Sequence, residues 1–163
     1  MCILRFYVNK SCSDLSGQLF GVKDMNKETI IEKVKIELRK TNIYEDKYYY
    51  LIGRMFDFVY SNDMQLKIEL SETEARLFTR ERGQCVYEYF TKNIDDVIYF
   101  ILYDLICIIA FNMTMAKYSD GEKSMIYTDD VRNYRKNLEE TAFSSVGGIY
   151  EKWFKNGRTS LMV

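Results

Sequence analysis

The pattern of apolar and polar positions reaches its extreme in the stretch Ile94 to Tyr118, IDDVIYFILYDLICIIAFNMTMAKY, where the one charge between Val97 and Phe111 is Asp104. A run of this length exceeds an ordinary strand. Asn93, followed by Asp95 and Asp96, offers a cap and a negatively charged first turn, so the stretch reads as a central buried helix. A membrane span needs about 20 predominantly apolar residues, which this interrupted run does not supply. Asp104 and Asn112 mark the one wet edge of the helix.

Other periods surround it. MCILRFYV reads as an early strand, and the Ser-, Gly- and Asp-rich KSCSDLSGQLFGVKD as a loop leading to a cap at Asp24 or Asn26. From Lys27 to Lys40, Ile30, Ile31, Val34 and Leu38 share a helical face, with Lys33 and Glu37 placed for an i,i+4 pair on the other side. YYYLIGRMFDFVY is dense in β-favouring aromatics and is broken at Gly53-Arg54, which predicts two strands around a tight turn. MQLKIEL alternates cleanly, setting Met64, Leu66, Ile68 and Leu70 opposite Gln65, Lys67 and Glu69. ARLFTRER and CVYEYFT flank Gly83-Gln84, a two-residue hairpin connection. An antiparallel meander is therefore expected from Tyr48 to Thr91.

Beyond the central helix, YSDGEKS forms a turn and Thr128 caps a helix with Val131, Tyr134, Leu138 and Ala142 on one face. A last short helix carries Val146, Ile149, Tyr150, Trp153 and Phe154 and stops at Asn156-Gly157. The order predicts one α+β domain over residues 1–163: an antiparallel β-meander packed against the central buried helix and the C-terminal helices.

Composition narrows the chemistry. With 47% hydrophobic and 15% aromatic residues, a chain of 163 residues builds a substantial core without staples. It contains no histidine, which excludes Ser-His-Asp and Cys-His sites and removes the commonest metal ligand. Neither a phosphate loop nor a nucleophile elbow is present, so no enzyme class is indicated. The pairs Asp95-Asp96 and Asp129-Asp130 resemble acid-base or magnesium carboxylates. Both fall at predicted helix starts, where exposed N–H groups stabilise negative charge without any ligand.

Cys2, Cys12, Cys85 and Cys107 form no Cys-x-x-Cys pair. MCILRFYV lacks a basic region and a cleavage site, so reduced thiols and a cytoplasmic location are expected, with no cofactor and no membrane partner. Net charge is −1, yet Val86 to Val131 holds eight acids and three bases, a local balance of −5 that disfavours nucleic acid. Arg76, Arg80 and Arg82, interleaved with Phe78, provide a basic and aromatic strand face of the kind that can bind RNA, diluted by Glu72, Glu74, Glu81 and Glu88. Fourteen tyrosines serve cores and interfaces alike.

TRERGQCVYEYFTKNIDDVIYFILYD, with its Arg82-Gly83 hairpin, following strand, Asp95-Asp96 helix start and aromatic helix, resembles the immunity protein 63 family of bacterial polymorphic toxin and contact-dependent inhibition systems. The resemblance runs from about Ala75 to Phe154 and leaves the first 60 residues aside. It implies a non-enzymatic cytoplasmic protein that binds a cognate toxin domain, often a nuclease, and blocks its active site or substrate surface. A non-catalytic interaction or scaffold domain, or a small RNA-binding module, are the alternatives.

Tyr118, Asp120, Glu122, Tyr127, Asp129 and Asp130, in a turn and helix start, are the candidate partner-binding residues. They combine aromatic anchors with carboxylates able to occupy a basic cleft. The scattered cysteines carry the first test: elemental analysis of the purified protein should return no stoichiometric zinc, and one zinc per chain would overturn both the redox and the cofactor expectations.

Overall fold

The structure is a computed structural model that describes residues 25–57, 64–119 and 126–157. The expected first strand and the loop after it lie outside the described residues. Helix α1, Lys27–Leu38, begins where the Asn26 side chain accepts a hydrogen bond from the Thr29 amide, and it buries Ile30, Val34 and Leu38. Its charged face is stitched by Glu32–Lys35 and Glu37–Lys40 pairs at i,i+3 rather than by the anticipated Lys33–Glu37.

The segment expected as two strands is helical instead. A short 3₁₀ turn, Asp46–Tyr48, runs into α2, Tyr49–Met55, with Tyr48, Leu51, Ile52 and Met55 buried. Those four recur at i, i+3, i+4 and i+7, a helical stripe. Packing of the stripe overrides the strand preference of the aromatic residues. The rest of the expected second strand, residues 58–60, lies outside the described residues.

The meander is therefore shorter than Tyr48 to Thr91. Among the described residues it consists of β1 Lys67–Leu70, β2 Ala75–Glu81 and β3 Gln84–Thr91, antiparallel in the order β1-β2-β3. Its tight turn is Arg82-Gly83, both at positive φ (50° and 80°), one residue earlier than the Gly83-Gln84 connection. Gly83 takes this conformation without a Cβ penalty. Lys67, expected to face solvent, is buried because its ammonium donates at 2.9 Å to the carbonyl oxygens of Arg54 and Asp57. The Arg54 carbonyl also accepts from the Asp57 amide, so what the two bonds chiefly provide is hydrogen-bond partners for a buried ammonium.

The core face of the sheet lies against α3, Ile94–Tyr118. Tyr89 meets Phe100 at 5.5 Å between ring centroids, and Ile68 and Leu77, opposite each other in register, join the same apolar cluster. Helix α4, Asp129–Val146, packs on α3 through its Val131, Leu138 and Ala142 stripe, and α5, Gly148–Asn156, adds Trp153. Gly147 and Gly148, at φ of 72° and 61°, break the two helices apart, so Val146 closes α4 rather than opening the last helix. Phe143 and Phe154 then stack at 4.2 Å, while Tyr99 meets Trp153 edge-on at 5.5 Å.

This is the α+β arrangement expected. Length and composition alone would let α3 cross a membrane, but 67% of its most apolar window is buried inside the protein. Its burial runs from Asp96 to Ala110 with Tyr103, Asp104 and Ile108 only half-buried. Ile101→Ala should therefore lower unfolding free energy by about 2–5 kcal/mol, and Ile108→Ala by clearly less. Denaturant midpoints check the ranking; an unmoved midpoint for Ile101→Ala would refute the core assignment.

Candidate partner-binding face

Of the predicted residues, Tyr118 lies at the end of α3, and Tyr127, Asp129 and Asp130 lie at the start of α4. Tyr118 lies edge-on to Tyr134 at 5.6 Å, and the Lys117 ammonium sits 3.8 Å from the Tyr134 ring centre and 5.2 Å from that of Tyr118. These contacts hold Tyr118 against α4 while leaving part of its ring in solvent. Thr128 caps α4 by accepting from the Val131 amide at 3.4 Å. The cap leaves Tyr127 exposed just outside the helix, with its carbonyl oxygen accepting from Arg132 at 3.2 Å.

Asp129, 89% exposed, makes a 3.5 Å contact with Arg132. Asp130 is exposed and makes no ion pair among the described residues. Both stand in the first turn of α4, where the helix dipole favours their charge. Asp120 and Glu122 lie outside the described residues. Ile126, 78% exposed, was missed: an isolated apolar residue inside a polar turn gives no period to read, yet it adds the largest exposed aliphatic surface of this corner.

Local acidity is smaller at the surface than the −5 of Val86 to Val131, because several of its acids are spent internally. Asp96, 3% exposed, accepts from the hydroxyls of Thr91 at 2.7 Å and Tyr89 at 3.0 Å. Asp95 accepts from the Tyr150 hydroxyl at 2.9 Å. Glu88 is held by Arg76 at 2.6 Å, and Arg76 also reaches Glu69 at 2.8 Å. The acidic pair at the start of α3 thus ties it to the hairpin and to α5, besides stabilising its first turn.

Within β2 the basic face offers no open ring. Phe78 is 1% exposed, with the guanidinium groups of Arg76 and Arg80 over its ring at 4.5 and 5.1 Å. A base cannot lie on a ring so covered. Arg82 belongs to the turn rather than to the strand. Among the described residues no group of three or more metal-ligating side chains gathers, and Cys85 is an exposed thiol and Cys107 a buried one. Cys2 and Cys12 lie outside the described residues.

Comparison with known families decides the identity. Immunity protein 63 matches residues 72–162, spanning both strands of the hairpin and all of α3, α4 and α5. The chain belongs to the immunity protein 63 family. No curated protein and no solved structure matches it. The family region contains the corner of Tyr118 to Asp130 and leaves α1, α2 and β1 outside the match.

Within the family region the Tyr150–Asp95 bond gives a pH test. Burial, then the hydrogen bond and charge of Asp95, push the Tyr150 hydroxyl well above its ordinary value of 10.0. Its contribution to stability is present below about pH 10 and is lost as pH rises further, because the unfolded chain releases a proton that the folded chain retains. Tyr150→Phe should flatten this alkaline loss. Melting curves at pH 8 to 11 (about the tyrosine range) check it; identical slopes for both proteins would contradict it.

Proposed function

We propose that this chain binds a cognate bacterial toxin domain in the cytoplasm and neutralises it by covering the active site or the substrate surface, as an inhibitor and not as an enzyme. The observation that carries the reading is the family match over residues 72–162, since an immunity protein implies a toxin partner. The class of toxin proposed is a nuclease. Its substrate cleft must be cationic to hold phosphates, and exposed carboxylates beside aromatic rings are the chemistry that fills such a cleft. Asp129, Asp130, Tyr127 and the partly exposed Tyr118 supply that combination, with Ile126 as an added apolar anchor. Asp120 and Glu122 belong to the proposed face on sequence alone.

Lys117 and Arg132 temper the potential of the face, so affinity there rests on the rings and on the two leading carboxylates of α4. No membrane or nucleic-acid partner forms part of the proposal. Co-purification with the proposed cognate toxin domain tests it. Asp129→Lys combined with Asp130→Lys, and separately Tyr127→Ala, should each weaken binding by about tenfold or more while the fold is retained, the double lysine variant melting somewhat lower because it reverses the favourable charge at the start of α4. Unchanged affinity in both folded variants would remove this corner from the toxin interface.

A further inference from the structure

The two tyrosines of the proposed face are held differently. Tyr127 stands just outside the cap of α4, 46% exposed, and meets no other ring among the described residues. Tyr118, 36% exposed, ends α3 with its ring edge-on to Tyr134, centroids 5.6 Å apart and planes at 70°. The Lys117 ammonium, 3.8 Å from the centre of the Tyr134 ring and 5.2 Å from that of Tyr118, closes the group. Both geometries are attractive, because the negative face of a ring meets a positive edge or a positive charge. Tyr118 is thus held in place before any partner arrives.

The two helices give this group its direction. Lys117 stands in the last turn of α3, where the helix dipole favours a cation, and among the described residues it makes no ion pair. Its charge is spent on the two rings. Tyr134 and Asp130, four residues apart in α4, are neighbours on one side of that helix. The ring that holds Tyr118 therefore shares that side with one of the two leading carboxylates, so one helix places the aromatic and the acidic parts of the face together.

We propose that Tyr134 and Lys117 are positioning residues of the toxin-binding face, keeping Tyr118 in its binding-competent rotamer so that the toxin docks on a preformed ring. The inference rests on the toxin-binding reading above and adds two residues to it. Apparent affinity falls with the fraction of free protein that is competent to bind, and a side chain already immobilised has little rotamer freedom left to lose on docking. Tyr127, without such support, gives up that freedom only in the complex. Lys117 does not serve this face by steering, since its charge has the sign of the cationic cleft it would meet. What it contributes is the order it gives to Tyr118.

The test reads the free chain and the complex. Three-bond couplings about the Cα–Cβ bond of Tyr118 should report a single rotamer in the unaltered free chain and averaging in Tyr134→Leu. Affinity for the proposed cognate toxin domain, catalytically inactivated, should fall about threefold to tenfold in Tyr134→Leu. That loss should vanish when Tyr118→Ala is already present and persist beside Tyr127→Ala. Averaged couplings in the unaltered chain, where no substitution disturbs folding, would overturn the proposal. A Tyr134→Leu loss of the same size with and without the Tyr118 ring, as a merely structural role gives, would overturn it too, while toxin binding stands. Lys117→Gln, at an exposed position, should weaken binding by about twofold or more; unchanged or tighter binding would show that the cation acts only through its charge and would remove Lys117 from the proposal. If the unaltered chain forms no complex, toxin binding itself fails and takes this inference with it.

Discussion

A helix apolar on nearly every side must be covered on nearly every side, and that constraint arranges the rest of this molecule. The sheet, α1 and α4 each take a face of α3, and its buried side chains run without a long gap from Asp96 to Ala110. Removing such surface from water at about 25 cal/mol per Å² supplies the main drive for the elements to assemble. Among the described residues the sheet is small, three strands with β1 only four residues long. A sheet of that size gains its stability from what it packs on, so hairpin and helix depend on each other.

Direction comes from polar contacts at the start of that helix. Apolar packing alone would tolerate sliding of the hairpin along α3, whereas the Asp96 carboxylate, bonded to both Tyr89 and Thr91, sets where β3 meets the first turn. Its neighbour Asp95 does the same for α5 through Tyr150, a residue 55 positions away. Two adjacent acids therefore fix two elements that are far apart in the chain. The family match begins just before β2 and continues past α5, the portion of the chain these two carboxylates tie together.

The parts of this fold written in local signals were legible. The caps at Asn26, Asn93 and Thr128 each hold the first turn they were expected to hold, and the long apolar run declared its burial. What failed was the segment from Tyr48 to Phe56, where aromatic density masked a helical stripe whose partners lie in α1, α3 and β1. Lys67 shows the same limit. Nothing in its alternating strand tells that carbonyl groups 10 and 13 residues earlier await it. At the partner face, Tyr127, Asp129 and Asp130 were readable as exposed because a turn and a cap surround them. The charge around them was overestimated, because Asp95, Asp96 and Glu88 are engaged by partners that only the tertiary structure brings near.

The proposed partner face, the corner of Tyr118 and Tyr127 with the leading carboxylates of α4, is aromatic and acidic and lies in the family region. Protection of living cells tests the proposed role most directly. Bacteria induced to make the proposed cognate toxin domain should keep growing when the chain is co-produced and stop when it is omitted. Growth arrest despite abundant, folded and co-produced chain would contradict the account.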